Sequence, residues 1–464
     1  MKKVIAFILV LILITLGTYL GFGLLAKKNY EAAISEMQAN FPGQVESTFE
    51  QGLFASELSV LLTIPVPAAN PGSPEAISTR IRQTIHHGPF IINSKQPNSS
   101  PFTPLQLFAY GTLELEPFMA NEPAFISELR QLATTDITVH APLKGRTKVS
   151  FTGRPLHSSL ALGSENFDLN WQGFTGQLYL EGSNLLTYDL DFQAPGLEMK
   201  GKGAEGIIIK EITTQATMKE GSHNLSMGTI TTTMKNLEAT LGNGPEDKVT
   251  MSGLNLRIAN SEKDGLLRVE EKVSMDRLQF SDKKYGPGTL QISLANLDAQ
   301  AVAKLTEAYK ELQANPANDE VMALGLLSSH ASALLAKSPE IKIEDFSLTS
   351  PEGACQSSAH ITFNGDGEVI MNPLFLLGRL SAEADFSADE RFLAVQAKNF
   401  IKENLCAERT DPDCDHEAAQ EGSKQLKALI DQNVLVLKGG KYTLTASFKN
   451  GQPMLNGQPV PLSF

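Results

Sequence analysis

The feature that most constrains this 464-residue chain is an uncharged apolar run from Val4 to Ala26. The run exceeds the roughly 20 residues that a helix needs to cross the hydrocarbon core of a bilayer. Backbone groups in lipid must bond to one another, so a spanning segment must be helical. The run therefore predicts an uncleaved transmembrane anchor. The alternative is a cleaved signal peptide, but its apolar region is usually about 7–15 residues and ends in an A-x-A-like site, where this chain has Leu24-Leu25-Ala26.

The lysines at the two ends of the run bear on its orientation. Lys2 and Lys3 precede it, and Lys27 and Lys28 follow it, so the positive-inside comparison is nearly balanced. The free amino group favours an N-terminus inside the cell. We therefore expect a single-pass protein of the bacterial inner membrane with its C-terminal body in the periplasm.

Composition excludes one class of partner. The net charge is −13, and no cluster of lysine and arginine is longer than two residues. Nucleic-acid binders carry a basic patch or stripe, so we predict no nucleic-acid partner. A hydrophobic fraction of 42% and a charged fraction of 20% are ordinary for folded domains.

Beyond residue 45 the dominant pattern is alternation of apolar and polar residues. It is clearest in Leu186–Phe192, Leu290–Leu294 and Tyr442–Phe448, and it predicts strands with one buried face and one wet face. Asn450-Gly451 and Asn456-Gly457 are strong signals for tight turns between strands. The C-terminus therefore reads as a hairpin or meander.

Helical spacing is confined to a few segments. A short amphipathic helix is expected at Asn29–Asn40, and later helices are predicted at Ala299–Gln313, Asp319–Lys337, Asp389–Leu405 and Glu417–Gln432. The predicted fold class is α+β and β-rich: an N-terminal transmembrane helix followed by long antiparallel sheets, curved or sandwiched, with four or five helices. The predicted domains are an anchor at 1–28, a β-rich periplasmic region at 29–298 and an α+β periplasmic region at 299–464.

Three cysteines allow one local bridge. Cys406 and Cys414 are spaced to close a disulfide between two helices if the compartment is oxidising. Two free thiols are the alternative. Cys355 is left over, and an odd thiol of this kind is typically buried and inert.

Candidate metal sites fail on spacing. Asp411, Asp413 and Asp415 imitate the start of a calcium loop, but His416 and Gly422 stand where such a loop needs glycine and a bidentate glutamate.

Two further patterns also give no site: a pair of adjacent histidines and the spacings of known catalytic motifs. Adjacent histidines on a strand point to opposite faces, so His86 and His87 are poorly placed to share one metal. No catalytic spacing or nucleotide motif is recognisable. We therefore predict no metal, no cofactor and no enzyme, although a site assembled from distant residues stays open.

Several segments, taken together in their order, resemble a known family. They are the N-terminal run, Phe49–Ser56, His87–Phe90, Tyr285–Gly288, Ala295–Asp298, Pro339–Ile341, Thr349–Gly353 and Asn450–Gly457. In these segments the chain resembles the YdgA-like proteins, a family of uncharacterised bacterial envelope proteins. The resemblance implies an inner-membrane anchor and a periplasmic body, and it carries over no functional residues.

The shared segments contain residues that read as architectural. Glycine allows turns or close backbone approach, and proline favours strand starts and edges. The structural-motif residues are Gly52, His87, Gly88, Pro89, Gly286, Pro287, Asn456 and Gly457.

Three functional hypotheses follow. The first is a non-catalytic envelope protein that binds or shields lipid or another apolar ligand. The second is a homo-oligomeric scaffold or assembly factor, and the third is a hydrolase with a non-local active site. An apolar surface open to solvent favours the first, and converging titratable groups in a pocket favour the third.

Overall fold

A computed structural model describes most of the chain in two compact units. The described residues are 2–40, 43–65, 76–87, 106–116, 127, 130–142, 145–162, 165–181, 184–201, 205–240, 242, 248–314, 331–365, 373–405 and 413–460. Unit 1 comprises Met1–Lys219 with Gln313–Asn315, and unit 2 comprises Glu220–Leu312 with Pro316–Phe464. The boundary predicted between residues 298 and 299 falls inside unit 2.

The first element is a single helix, α1 (Lys2–Asn40), whose side chains are described from Thr18 onward except at residues 36, 39 and 40. Tyr19, Gly23 and Ala26, which belong to the predicted span, are buried against protein.

The predicted transmembrane helix requires a correction. Within the described part of the chain, no helix combines the length and apolarity needed to cross a bilayer. The fold class is therefore wrong in its transmembrane element, whereas its β-rich, antiparallel character is confirmed.

Unit 1 consists mainly of antiparallel strands. They are β1 (Gln44–Glu50), β2 (Ala55–Pro65), β3 (Ala76–His86), β4 (Gln106–Leu115), β5 (Thr135–Pro142), β6 (Arg146–Gly153), β7 (Leu156–Leu162), β8 (Glu165–Trp171), β9 (Phe174–Glu181), β10 (Asn184–Gly201) and β11 (Gly206–Glu220). Strands β1 to β6 pair in chain order, β6 pairs with β9, and β9 pairs with β10. The far half of β10 pairs with β8, and β11 pairs along β10.

The core of unit 1 lies between α1 and the first strands. Ile34 of α1 is buried with Leu58, Val60, Ile85 and Ala109 from β2, β3 and β4. These strand residues share one face because side chains alternate across a sheet. The predicted amphipathic helix is thus present as the second half of α1.

Unit 2 repeats the antiparallel arrangement with longer strands. They are β12 (Ser226–Thr240), β13 (Lys248–Lys263), β14 (Leu266–Met275), β15 (Arg277–Phe280), β16 (Lys283–Tyr285), β17 (Gly288–Asp298), β18 (Glu340–Ser350), β19 (Gly353–Phe363), β20 (Leu380–Asp389), β21 (Val436–Lys438), β22 (Lys441–Lys449), β23 (Gln452–Leu455) and β24 (Gln458–Pro459). The main sheet runs β12, β13, β14, β17, β18, β19, β20, β22 and β23.

Four helices longer than five residues lie between these strands in the described part of unit 2. They are α2 (Ala299–Ala314), α3 (Pro373–Arg379), α4 (Glu390–Leu405) and α5 (Asp413–Asp431). The predicted cap of α2 is confirmed, because the Asp298 carboxylate accepts a hydrogen bond from the Ala301 amide at 2.8 Å. Of the predicted helix Asp319–Lys337, residues 331–335 are helical, and residues 319–330 lie outside the described part.

Helices α4 and α5 pack together over one end of the sheet of unit 2. Leu426 of α5 is buried with Tyr442 of β22 and contacts Leu393 of α4. The two helices approach closely at Gly422, where a Cβ atom would lie 2.9 Å from the Lys398 amide nitrogen.

A charged cluster links the same two helices. The Asp415 carboxylate accepts hydrogen bonds from the Lys398 ammonium at 2.5 Å and lies 2.8 Å from the Lys402 ammonium. These two partners, Lys398 first, lower the pKa of Asp415 to about 2.

This cluster predicts a pH-dependent contribution to the stability of the helix pair. A carboxyl whose pKa is lowered on folding stabilises the fold above its unfolded pKa, near 3.9, and loses that effect as pH falls towards the folded value. Asp415→Asn should therefore lower the thermal midpoint at pH 7 and by nearly the same amount down to about pH 5. The difference from the natural protein should shrink as pH falls further and vanish near pH 1.

The measurement is the thermal midpoint of both proteins across this range. Glu421→Gln, which removes a pair within α5 alone, is the control and should have a smaller effect. A difference between the natural protein and Asp415→Asn that is as large at pH 2 as at pH 7 would contradict the assignment.

Candidate functional site

The sheet of unit 2 separates polar from apolar side chains. Cross-strand pairing places residues in rows that run perpendicular to the strands, and neighbouring rows face opposite sides. One row is polar throughout and consists of Asn255, Ser274, Thr289, Ser347, Gln356, Ser387 and Thr443.

The rows on the other side are largely apolar. The first consists of Leu256, Val273, Leu290, Phe346, Ser357, Phe386 and Leu444. The second consists of Ile258, Glu271, Ile292, Ile343, Ala359, Ala384 and Ala446. The third consists of Asn260, Val269, Leu294, Ile341, Ile361, Ala382 and Phe448.

Helix α4 covers part of this apolar side. Phe392 of α4 is buried with Cys355 of β19 and Ala388 of β20. Towards β13 the side chains stay accessible. The exposed fractions are 37% for Leu256, 39% for Val273, 46% for Ile341, 39% for Phe346 and 38% for Ile361.

We call the part of these three rows between β13 and β19 the open apolar face. Its large side chains come from five neighbouring strands, so they form one continuous surface. Single exposed apolar residues are ordinary, but contiguous ones mark interaction or ligand-binding sites. The open apolar face is therefore the main candidate functional site.

Two polar residues interrupt the open apolar face. Glu271 pairs in register with Ile258 and Ile292, and it has no ion-pair partner among the described residues. Asn260 lies diagonally across from Glu271, because it pairs with Val269 on the same strand. The Asn260 Oδ1 atom is buried without a hydrogen-bond partner in the part of the chain that is described.

A second polar feature lies beneath α1 in unit 1. The Ser56 hydroxyl and the His87 Nε2 atom share a hydrogen bond of 3.0 Å, and the Gly52 amide donates to the Ser56 oxygen at 3.4 Å. Ser56 is 1% exposed and His87 is 2% exposed. Gly23 of α1 covers the pair, since a Cβ atom there would lie 2.8 Å from the His87 Cε1 atom.

The Ser56–His87 pair has the elements of a nucleophile and its base. A hydroxyl that is almost fully buried offers no room for a substrate, however, so the pair is a buried polar contact. Burial, the repulsion of His86 and a backbone contact at Tyr19 act on the pKa of His87, and the net shift is downward. The imidazole is therefore neutral at neutral pH.

The adjacent His86 occupies a different environment, as predicted from strand alternation. Its ring stacks on Tyr110 with ring centroids 5.6 Å apart, and burial lowers the pKa of His86. Among the described residues, no three metal-ligating side chains converge.

A polar cavity of about 460 Å³ opens on the other face of the sheet in unit 1. Its charged groups are largely paired: Arg154 forms a bidentate contact with Asp136 at 2.9 and 2.5 Å, and Arg82 lies 3.0 Å from Glu114. Its lining residues are Thr48, Glu50, Glu57, Leu58, Ser59, Arg82, Gln83, Thr84, Tyr110, Gly111, Thr112, Asp136 and Arg154. Such a lining suits a hydrophilic ligand.

The predicted structural-motif residues that are described and not yet placed lie in turns between consecutive strands. Gly52 lies between β1 and β2 and approaches the Ala55 carbonyl too closely for a side chain. Gly286 has a φ of +111° and, with Pro287, connects β16 to β17. Asn456 and Gly457, with φ of +46° and +78°, form the turn between β23 and β24. Gly88 and Pro89 lie outside the described residues.

The cysteines are partly described. Cys355 is a free thiol, 4% exposed, and burial raises its pKa. Cys414 is buried at the start of α5. Cys406 lies outside the described residues, so its disulfide with Cys414 stays a prediction.

Sequence reasoning did not identify Asn260, Glu271 or Ser56. The signal for Glu271 was available, since it is a charged residue in phase with Val269 and Val273. The signal for Ser56 was not, because its partner is 31 residues away.

The contact between α1 and His87 predicts a difference between two glycines of the same helix. Gly23→Val should lower the free energy of unfolding by about 1–3 kcal/mol, because the new methyl groups displace the His87 ring. Gly21→Val is the matched control, since a Cβ atom there meets nothing within 4 Å. Denaturant titration measures both, and equal effects would contradict the contact.

Comparison with known proteins places the chain in a family. No curated protein matches it at a significant level. A family model described as "Bacterial protein of unknown function (DUF945)" matches residues 1–463. Because the match covers nearly the whole chain, the protein belongs to the DUF945 family of bacterial proteins.

Proposed function

We propose that this protein is a non-catalytic component of the bacterial cell envelope that binds the acyl chain of a lipid or related amphiphile. The open apolar face carries this proposal. Its side chains are presented by long paired strands, so the surface is built in advance and needs no rearrangement to receive a chain. Burial of apolar area contributes about 25 cal/mol per Å², so covering this face with an acyl chain favours binding.

A second copy of the protein is the competing occupant of this face. A symmetric face-to-face contact would bury Glu271 of both copies among apolar side chains. A buried carboxylate without a cation is strongly unfavourable. A flexible amphiphile avoids this cost, since it can lay its chain on the apolar rows and place its polar end beside the carboxylate. This argument favours the amphiphile over the homo-oligomeric scaffold.

The hydrolase hypothesis has less support. The Ser56–His87 pair is closed to substrate, and the arginines of the polar cavity are held by carboxylates. A general base or nucleophile must reach the atom on which it acts.

The envelope location rests on two observations. The first is the resemblance of Phe49–Ser56, Tyr285–Gly288 and the other short segments, in their order along the chain, to the YdgA-like envelope proteins. The spacing of Cys406 and Cys414 also suits a disulfide, and disulfides persist in oxidising compartments. A periplasmic position gives a lipid-binding protein direct access to its ligand.

The binding proposal predicts that a charge on the open apolar face abolishes ligand binding. Ile361→Lys should weaken the binding of an uncharged fluorescent fatty-alcohol probe by about tenfold or more, because a cation must then be covered by the chain. Thr362→Lys is the matched control: the next residue faces the other side of β19, opposite Glu340. It should bind the probe as the natural protein does.

The measurement is probe fluorescence on titration, with circular dichroism to establish that each variant is folded. The absence of any probe binding by the folded natural protein would overturn the proposal. Equal losses in the two variants would show that the probe binds elsewhere.

The location proposal predicts an exported body with an oxidised cysteine pair. Alkaline phosphatase fused after the last residue should be active, since it folds only outside the cytoplasm. Peptide mass spectrometry without reduction should recover Cys406 and Cys414 in one cross-linked species. Its mass should be about 2 Da below that of the thiol form, because disulfide formation removes one hydrogen from each thiol. An inactive fusion together with two free thiols would contradict the location.

A further inference from the structure

The open apolar face contains its own polar anchor. Glu271 projects from the middle row, and the residues paired with it are Ile258 and Ile292. Its neighbours along β14 on the same side are Val269 and Val273. The carboxylate is therefore surrounded by aliphatic side chains and is exposed to solvent.

Any ligand that covers this face also covers Glu271. The desolvation of a carboxylate without a partner is more unfavourable than the surrounding acyl contacts are favourable. The cost disappears if the ligand brings a cation or a strong hydrogen-bond donor to the same place.

Asn260 does not take part in this site. Its Oδ1 atom is buried, so a ligand on the open apolar face cannot reach it, and its amide nitrogen is itself a donor. The chemistry that fits the exposed Glu271 carboxylate is therefore a cation or a strong hydrogen-bond donor.

We propose that Glu271 forms a headgroup site, and that the ligand of the open apolar face is an amphiphile carrying a protonated amine. An ammonium group has three donors and no acceptor, so it can donate charge-assisted hydrogen bonds to the carboxylate. This inference rests on the proposed function and specifies the ligand class. The polar row on the other side of the sheet does not take part.

The inference predicts selection between two single-chain ligands of equal length. Dodecylamine should bind the natural protein about tenfold to a hundredfold more tightly than dodecanoate at pH 7, since a charge-assisted hydrogen bond is formed with one and repulsion with the other. Both are titrated below their micelle concentrations by displacement of the fluorescent probe.

Two variants test whether Glu271 causes the preference for the amine. Glu271→Gln keeps the shape of the side chain and removes its charge, so the preference for the amine should fall to about twofold or less. Glu270→Gln is the matched control, because Glu270 lies on the opposite face with Arg268, and the preference should be unchanged.

The outcomes separate this inference from the proposed function. If neither ligand binds the folded natural protein, the proposed function fails. If both bind with equal affinity, or if the preference survives in Glu271→Gln, the headgroup site is overturned while acyl binding stands.

The source of the amine in this proposal is a lipid headgroup. Lysophosphatidylethanolamine and lysophosphatidylglycerol with the same chain test it. A preference for the ethanolamine lipid that is lost in Glu271→Gln supports the lipid headgroup. Preference for dodecylamine without discrimination between the lysolipids would overturn it.

Discussion

The structure of unit 2 depends on the alternation of side chains along long paired strands, with a register shift in β18 between Ile343 and Phe346 that keeps both residues on one side. Leu256, Ile258 and Asn260 point to one side of β13, and Asn255, Arg257 and Ala259 point to the other. Continuous pairing from β13 to β22 carries this division across the sheet, so a local pattern becomes a face. Helices α4 and α5 bury the end of that face near Tyr442 and Cys355, and the remainder stays accessible.

In unit 1 the apolar side of the sheet is covered by another segment of the same chain. There the apolar side of β2, β3 and β4 is covered by Tyr30 and Ile34 of α1. Helix α1 continues over the Ser56–His87 pair, where Gly23 allows close approach. In unit 1 the cover is a helix of the same chain and includes a buried polar contact, whereas in unit 2 the uncovered rows carry Glu271, which is exposed to solvent.

Much of the local structure could be predicted from the sequence, because it depends on neighbouring residues. The strands around Leu186, Leu290 and Tyr442 follow from period-two alternation. The turn at Asn450-Gly451 has both residues at positive φ, which asparagine and glycine tolerate. Asp298 caps α2 because its short side chain reaches the amide of Ala301.

The features that could not be predicted depend on what covers each residue. Hydropathy counts Tyr19 and Ala26 as apolar whether lipid or protein surrounds them, and the structure buries both against protein. Glu271 and Asn260 become neighbours only through the register of β13 and β14. Neither the open apolar face nor its polar anchor is visible until the strand order and the helix positions are known.

Photo-crosslinking in living cells tests the central claim most directly. Benzoylphenylalanine placed at Phe346 projects from the open apolar face, and the same group at Ser347 projects from the polar side. The account predicts that irradiation attaches lipid to the protein at position 346 and not at position 347, as detected by mass spectrometry of the purified protein. A cross-linked dimer at position 346 without attached lipid would contradict it.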